Sequence, residues 1–386
     1  MIIGAVAHGG HCVARSDGQV VFVRHALPGE RVLVEVTDIG PKGRYLRADA
    51  VTVIDSSPDR VVPRCQFAGP GACGGCDWQH ATPEAQRRLK RAVVVEQLHR
   101  LGGVDREVVV EPVAGDVDGL QWRTRVRFAV DSAGRAGLRR HRSHDVVAVD
   151  DCLIAHPSVD TPTIAAASWP GVEWVEVCVA PSTGEADVRV HPGQVGGPLH
   201  HQAAGRTWRV SGGGFWQVHP GAADTLASCV TELLAPTAGE HLLDLYCGVG
   251  LFAGVIAPML EPGGRVDAVE GARSAAADAA DNLSDLPTVS VHAQSVATYF
   301  ARTGLRRVDL VVLDPPRDGA GASVVAAVTA LRPRAVAYVA CDPAALARDV
   351  RSFAEQGYRL TGLRAFDLFP MTHHIECVAL LESDAS

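Results

Sequence analysis

The sequence predicts a multidomain α/β protein in which a doubly wound parallel sheet follows a small β-barrel and a mixed α+β central region. The chain has 386 residues, enough for two or three hydrophobic cores. After about residue 206, apolar β-rich runs alternate with Gly-rich turns and helical stretches. Before residue 57, short alternating strands are broken by Gly, Pro and Asp. We therefore expect domains at 1–56, 57–205 and 206–386.

Composition favours a soluble, cytoplasmic protein. Hydrophobic residues make up 47% of the chain, and no run approaches the roughly 18 to 20 apolar residues of a membrane span. The start, "MIIGAVAHGGHC", lacks the charged region and cleavage site of a signal peptide. In a reducing compartment, the 10 cysteines are expected to be ligands, nucleophiles or core residues rather than disulfides. No sequence feature calls for an oligomer, so we expect a monomer.

The N-terminal strands "QVVFVRHAL", "ERVLVEVTDIG" and "YLRADAVTVI" suit a small OB-like barrel, a fold that often binds nucleic acid. The net charge of −8 gives no global sign of such binding, so any RNA contact must be local. Local positive charge comes from Arg15, Arg24, Lys42, Arg44 and Arg47. The alternative is a barrel with an ordinary charged surface.

The central region opens with the spacing C-x7-C-x2-C in "CQFAGPGACGGC", which contains Cys65, Cys73 and Cys76. Three thiolates leave a metal site incomplete, and Cys152 in "VVAVDDCLIAHP" is the candidate fourth ligand. Zinc accepts four thiolates as readily as an iron–sulfur cluster does, so the spacing alone leaves both open, along with a metal-free loop.

Arginine is concentrated in residues 121–145, "QWRTRVRFAVDSAGRAGLRRHRSHD", which contain seven arginines. With Trp122 and Phe128 among them, the segment predicts a stripe that contacts RNA phosphates and offers rings for stacking. A solvated strand face is the alternative.

The α/β region carries a candidate cofactor site at the carboxyl ends of its strands. In "LLDLYCGVG", Gly248 and Gly250 let a ligand approach the backbone, but the full GxGxxG of a dinucleotide site is absent. Glu270 ends the next strand, 20 residues after Gly250, where a carboxylate can bind both ribose hydroxyls. A site for one nucleoside without a diphosphate suits S-adenosylmethionine. A tight turn with a surface Glu is the alternative.

Asp314 ends a further strand in "DLVVLDPPRDG". Methyltransferases that act on the amino groups of adenine and cytosine carry a similar Asp-Pro-Pro followed by an aromatic residue that stacks on the flipped base. Here Arg317 occupies the place of the aromatic residue, which disfavours amino-group methylation.

Cys341 follows the strand "AVAYVA", and Asp342 and Pro343 read as the cap and first residue of the next helix. The helix dipole is expected to favour the thiolate, although Asp342 opposes this effect. A methyl donor and a thiolate together suit methylation at carbon 5 of a pyrimidine, because addition of sulfur at carbon 6 makes carbon 5 nucleophilic. Glu376, in "MTHHIECVALL", is the candidate base that removes the carbon 5 proton. The alternatives are a buried, inert cysteine and a surface carboxylate.

Six stretches resemble, in order and over nearly the whole chain, the RNA uracil-5-methyltransferase family: "FWQVHPGAADTL", "LDLYCGVGLF", "AVEG", "LDPPRDG", "YVACDPAALARD" and "HHIECVALL". The resemblance implies a Rossmann-like class I methyltransferase domain in which Cys341 is the nucleophile and Glu376 accepts the proton. It also implies that four residues contact S-adenosylmethionine: Gln217, Tyr246, Glu270 and Asp314. Where the family usually has Ser and Asn around the nucleophile, this chain has Ala340 and Asp342.

The resemblance extends to the N-terminal segment, which looks like the TRAM domain, an OB-like RNA-binding module. It also implies that Cys152 joins the other three cysteines in holding a 4Fe-4S cluster, although the family's cysteines are often more closely spaced. Barrel and cluster together favour 23S ribosomal RNA as the substrate, and transfer RNA is the alternative within the family. A rival from another class is a non-catalytic RNA-binding or ribosome-assembly protein, which the presence of Cys341, Glu376 and Asp314 disfavours.

Overall fold

A computed structural model describes residues 1–384, so the last two residues of the predicted C-terminal domain lie outside the described part. The N-terminal sheet has the order β1-β2-β4-β3. Its strands are β1 Cys12–Ser16, β2 Gln19–Arg24, β3 Arg31–Ile39 and β4 Tyr45–Asp55. The segment 1–6 bonds to both edge strands: Gly4 N donates to Val13 O on β1, and Val32 N on β3 donates to Met1 O. This segment therefore links the two edge strands, β1 and β3, of the sheet.

A long helix, α1 Pro83–Gln97, connects this sheet to the rest of the molecule, and a short strand, β5 Val110–Pro112, follows it. The first half of α1 packs with the N-terminal core through Ala85 and Leu89, whereas Val94 belongs to the C-terminal core. The Lys90 side chain is fully buried between the two cores, with Nζ 2.5 Å from Asp367 Oδ1. The predicted central region is thus shared between several cores.

The central sheet is antiparallel, in the order β10-β9-β6-β7-β8. Its elements are β6 Arg125–Val130, β7 Ala136–Arg139, β8 Val146–Ala148, helix α2 Thr161–Ala166, β9 Trp174–Ala180 and β10 Glu185–His191. A two-stranded hairpin, β11 Leu199–Ala203 and β12 Arg206–Val210, leads into the C-terminal domain. Trp208 from this hairpin is fully buried in the C-terminal core, so that core begins before the helices of the α/β domain.

The C-terminal domain confirms the predicted α/β architecture. Its eight-stranded sheet has the order β15-β14-β13-β16-β17-β19-β18-β5. The elements are α3 Ala222–Leu234, β13 His241–Leu245, α4 Leu251–Ile256, β14 Arg265–Glu270, α5 Arg273–Asn282, β15 Val289–Ala293, α6 Val296–Arg302, β16 Leu310–Leu313, α7 Ala322–Ala330, β17 Ala335–Ala340, α8 Pro343–Ala354, β18 Tyr358–Asp367 and β19 Glu376–Ser383. Strands β13 to β17 are parallel, and β19 runs antiparallel to β17. Apolar cores cover both faces of the sheet, as a doubly wound fold requires.

The sheet order places the ends of β13, β14 and β16 side by side. From β13 the chain adds β14 and β15 on one side of the sheet, and then crosses to the other side to add β16 and β17. The order in which strands are added therefore reverses between β13 and β16. A crevice outside the carboxyl ends of parallel strands is expected at such a point. Among residues 1–384, no helix is both long and apolar enough to cross a bilayer.

Candidate active site

The antiparallel pair β17 and β19 brings Cys341 and Glu376 together. Ala340, the last residue of β17, pairs with Cys377, so Cys341 lies beside Glu376 at the start of β19. Cys341 is half-buried, whereas Glu376 is 4% exposed. The register therefore places the two residues predicted to perform the chemistry next to each other at one edge of the sheet.

Cys341 opens into a cavity of about 180 Å³ between the two ends of the chain. Glycines and histidines from the N-terminal loop and from the segment before β19 form much of its wall. The lining residues are His8, Gly9, Gly10, Val93, Arg317, Cys341, Asp342, Pro343, His373, His374 and Ile375. Since benzene occupies an apolar protein cavity of about 150 Å³, this cavity has room for one pyrimidine ring.

Burial and the neighbouring Glu376 raise the pKa of the Cys341 thiol to about 12. The predicted effect of the helix dipole on the thiolate is therefore outweighed by burial and by three nearby carboxyl groups. Burial and Asp314 likewise raise the pKa of Glu376 well above its usual value. Cys341 therefore holds its proton at neutral pH, and burial opposes the ionisation of Glu376.

Arg317 supplies the opposing positive charge. Its guanidinium lines the cavity and lowers the pKa of both Cys341 and Glu376 against the larger effect of burial. It is exposed and takes part in no ion pair within residues 1–384, so its charge is available to a ligand. The sequence marked Arg317 only as a departure from amino-group methyltransferases; its place beside Cys341 depends on the packing of β16 against β17.

Asp342 caps α8, as predicted: its Oδ1 accepts a hydrogen bond of 2.8 Å from Ala345 N. The other oxygen of this carboxylate, Oδ2, lies 2.9 Å from His8 Nε2. The two residues are 334 positions apart, so no sequence pattern connected them. This contact joins the N-terminal loop to the helix that begins just after Cys341.

The loop that carries Arg317 is anchored by Asp349 on α8. Its carboxyl group accepts hydrogen bonds from Ala320 N at 2.8 Å and from the Tyr338 hydroxyl at 2.6 Å. Gly321 N donates to the same group at 3.2 Å. Asp349 was not predicted as a site residue, and its effect on the site is to fix the position of the Asp-Pro-Pro loop.

The predicted cofactor residues meet at the ends of β13, β14 and β16. Cys247 N donates to Val269 O, which joins β13 to β14, and Asp314 N donates to Leu245 O, which joins β16 to β13. Glu270 accepts a hydrogen bond of 3.0 Å from Gly248 N through Oε2. Burial and the nearby Glu270 raise the pKa of Asp314 to about 7.

Three residues of the turn after β13 have a positive φ: Tyr246 (+64°), Gly248 (+57°) and Gly250 (+94°). A Cβ at Gly248 would meet no atom within 4 Å, so space for a ligand lies above this residue. A Cβ at Gly250 would lie 2.7 Å from Leu283 Cδ1, so this glycine serves close packing rather than ligand approach. The left-handed Tyr246 is a strained position for a residue with a side chain, which is typical of functional turns.

Asp244, within β13, is a site residue that the sequence analysis missed. Its carboxyl group is fully buried; Oδ2 accepts from Ala253 N at 2.9 Å, but Oδ1 has no partner within residues 1–384. Burial raises the pKa of Asp244 to about 7, and Asp314 and Glu270 add to the effect. An acidic residue inside an apolar strand was the available signal. Gln217, by contrast, is half-buried in the segment before α3, and no hydrogen bond within residues 1–384 links it to these carboxyl groups.

The four predicted metal ligands, Cys65, Cys73, Cys76 and Cys152, line one cavity of about 420 Å³. Cys73 Sγ accepts from Gly75 N at 3.4 Å, and Cys76 Sγ accepts from the Gln79 side chain at 3.3 Å. Burial raises the pKa of all four thiols. Within residues 1–384, however, no three His, Cys, Asp or Glu side chains are close enough to hold a single metal ion. Four thiols on one cavity are a donor set that suits either an iron–sulfur cluster or zinc.

The arginine-rich segment 121–145 differs from the predicted stripe. Trp122 and Phe128 are 2% and 0% exposed, so neither ring is available to stack on RNA, because both belong to the core of the central sheet. Arg125 and Arg127 pair with the buried Glu176, which neutralises part of the positive charge. The remaining arginines at the cysteine-lined cavity are Arg123, Arg139, Arg140 and Arg142.

Comparison with known proteins identifies relatives along the whole chain. The profile of tRNA (uracil-5-)-methyltransferases matches residues 302–384, and that of the TRAM domain matches residues 2–51. An uncharacterized RNA methyltransferase of Streptomyces avermitilis is 50% identical, over 99% of this chain and 98% of that protein. The 23S rRNA (uracil(1939)-C(5))-methyltransferase RlmD of Alkalilimnicola ehrlichii is 32% identical, over 99% of this chain and 96% of that protein.

Among solved structures, the Pyrococcus abyssi tRNA (uracil-54, C5)-methyltransferase in complex with S-adenosyl-L-homocysteine has the same fold. It superposes with a TM-score of 0.73 over 99% of both chains, at 22% sequence identity.

Proposed function

This chain belongs to the RNA uracil-5-methyltransferase family, and from that premise we propose that it methylates carbon 5 of a uridine through a covalent bond between Cys341 and carbon 6. It is a methyltransferase that uses S-adenosylmethionine. The observation that carries the proposal is the β17–β19 register, which sets Cys341 beside Glu376. Cys341 also lines a cavity large enough for a pyrimidine.

In the first step the thiol of Cys341 loses its proton to solvent, and its sulfur bonds to carbon 6 of the base. The electrons of the C5–C6 double bond move toward the carbonyl at carbon 4, which makes carbon 5 nucleophilic. Arg317 faces this site and favours the thiolate electrostatically. The negative charge of Asp314 raises the pKa of both Cys341 and Glu376. A cationic ligand bound at Asp314 offsets that charge and so favours the ionised forms of both groups.

When bound, S-adenosylmethionine supplies a methyl group on a sulfonium sulfur, which leaves as a thioether when carbon 5 takes the methyl group. Four residues would hold the cofactor: Gln217, Tyr246, Glu270 and Asp314. Glu270 keeps one oxygen bonded to Gly248 N and Ala272 N lies 2.7 Å from the other, so the carboxylate is oriented before a ribose arrives. The open space above Gly248 and the unpartnered oxygen of Asp244 mark room for a polar ligand.

Glu376 then removes the proton from carbon 5. The electrons of that C–H bond restore the C5–C6 double bond, and the bond from carbon 6 to the Cys341 sulfur breaks to release the thiolate. A buried carboxylate with a raised pKa is a stronger base than a solvated one once it is ionised.

RNA that contains 5-fluorouridine tests both roles, because fluorine replaces the proton that Glu376 must remove. The wild-type protein is expected to form an adduct that survives denaturing electrophoresis, and Cys341→Ala to form none. With ordinary uridine RNA, Glu376→Gln is expected to accumulate the methylated adduct, since elimination lacks its base. Cys377→Ala, which changes a buried cysteine next to Glu376, is the matched control. An adduct with Cys341→Ala would refute the proposal.

We propose 23S ribosomal RNA as the substrate. The relative that supports this is the Alkalilimnicola ehrlichii protein, whose name specifies 23S rRNA and which aligns with almost the whole of this chain. The archaeal structure named for transfer RNA supports the fold alone. Transfer of radioactive methyl groups to 23S fragments and to transfer RNA transcripts distinguishes the two, and preference for transfer RNA would contradict the proposal.

We also propose that Cys65, Cys73, Cys76 and Cys152 hold a 4Fe-4S cluster. The support for this proposal is that all four thiols line one cavity. Four thiolates are also a donor set for zinc, so metal analysis distinguishes the two. Protein purified without oxygen is expected to contain about four iron and four sulfide per chain. Serine at any of the four positions should remove the iron, and Cys178→Ser should not. Zinc in place of iron would contradict the assignment.

A further inference from the structure

The N-terminal loop closes one side of the pocket that holds Cys341. His8, Gly9 and Gly10 line the cavity together with Cys341. Gly10 has a φ of +83°, and an added Cβ would lie 2.7 Å from His373 Cβ. Trp78 Nε1 donates to Gly10 O at 3.1 Å. The loop is therefore packed closely against the segment before β19.

The carboxylate of Asp342 joins this loop to α8, the helix that begins just after Cys341. Asp342 Oδ2 lies 2.9 Å from His8 Nε2, and Asp342 Oδ1 caps α8. The His8 side chain is 42% exposed and that of Asp342 23% exposed, so the pair is partly screened by solvent.

The negative charge of Asp342 is not needed for capping, because Asn caps a helix equally well. That negative charge also opposes ionisation of the Cys341 thiol. After burial, Glu376 and Asp314, Asp342 is a further group that raises the pKa of the Cys341 thiol. A positive charge on His8, 2.9 Å from Asp342, would offset that effect.

We propose that His8 is a positioning residue for methyl transfer: as an imidazolium it offsets the charge of Asp342 beside Cys341 and holds the 8–10 loop over the pocket. This inference rests on the proposed function, because it takes Cys341 as the nucleophile.

The charge on His8 depends on pH. The groups that face it are Asp342 and Arg348 from α8 and Glu96 from α1. The hydrogen bond to Asp342 raises the pKa of His8 above its usual value, and that bond also lowers the pKa of Asp342 against the opposing effect of burial. Since the pKa of His8 is raised, the ion pair is complete below the usual histidine value and is lost as pH rises through the raised value.

The test is the single-turnover rate of adduct formation on 5-fluorouridine RNA, measured from about pH 6 to about pH 9. At the acidic end, His8→Gln is expected to be slower than the wild type by about two- to fivefold, the range for partly exposed ion pairs. The ratio of the wild-type rate to the His8→Gln rate should approach one at the alkaline end. Adding Asp342→Asn to His8→Gln should restore the wild-type rate, because it removes the charge that His8 offsets and keeps the cap.

His99→Gln is the matched control, since His99 Nδ1 lies 2.6 Å from Asp105 in an exposed pair that does not line the pocket. It should follow the wild type at every pH. A ratio for His8→Gln that is constant with pH, or a double variant no faster than His8→Gln, would overturn the inference. If Cys341→Ala still formed the adduct, the proposed function would fail instead, so the two failures can be distinguished.

Discussion

Asp349 holds the Asp-Pro-Pro loop in place, and its removal should cost both stability and rate. The carboxyl group is 4% exposed and accepts hydrogen bonds from Ala320 N, Gly321 N and the Tyr338 hydroxyl. Ala320 N also donates to the Tyr338 hydroxyl at 3.0 Å, so Asp349→Ala leaves about two donors without a partner. At about 1–3 kcal/mol for each unsatisfied buried group, we expect a loss of about 2–6 kcal/mol in the free energy of unfolding.

Urea denaturation measures that loss. Tyr338→Phe removes the hydroxyl that donates to Asp349 and accepts from Ala320 N, but leaves Ala320 N and Gly321 N bonded to Asp349, so it should lose about half as much. Because the loop carries Asp314 and Arg317, we also expect kcat/KM for RNA to fall by about tenfold to a hundredfold in Asp349→Ala. A loss below about 1 kcal/mol together with wild-type kinetics would show that Asp349 does not hold the loop.

Three further predictions follow from buried or neighbouring charges. The pKa of Cys341 is raised to about 12. The rate of its alkylation by iodoacetamide in the free protein should therefore rise about tenfold per pH unit up to about pH 9, as followed by peptide mass spectrometry. A rate that levels off near neutral pH would contradict this. Lys90→Met leaves the Asp367 carboxylate buried without its partner, so it should cost about 3–5 kcal/mol by urea denaturation, and an unchanged midpoint would contradict it. Glu176→Gln removes the negative charge that pairs with Arg125 and Arg127. It should therefore tighten RNA binding at low salt and lower the midpoint of thermal unfolding. Weaker RNA binding in a filter assay would show that these arginines do not face RNA.

The parts of the site that were predictable from sequence follow strand ends. Gly248, Glu270, Asp314 and Cys341 each come directly after or at the end of an apolar run, and parallel strands place such residues at one edge of the sheet. The cap at Asp342 was predictable because a cap depends on residues three positions apart.

The rest depends on packing between distant segments. Strand β5 pairs in parallel with β18, more than 240 residues later, and three residues carry too weak a pattern to show this. The contact of His8 with Asp342 and the burial of Lys90 likewise arise only when the N-terminal sheet and α1 meet the C-terminal domain. The burial of Phe128 was not predictable either, because alternation gives two faces of a strand without saying which is buried.

The electrostatics of Cys341 also required the structure. A helix N-terminus favours a thiolate by a modest amount, whereas burial beside Glu376 acts in the opposite direction and is larger. The sequence placed Glu376 in a segment near the C-terminus and could not show that it lies beside the thiol.

The most direct test of the account is mass mapping of 5-methyluridine in ribosomal and transfer RNA from cells that lack this protein, complemented with wild type or with Cys341→Ala. We expect that one 5-methyluridine of 23S rRNA disappears in these cells and returns only with the wild-type protein. If every 5-methyluridine persists in the deletion, or if Cys341→Ala restores the missing one, catalysis through Cys341 is contradicted.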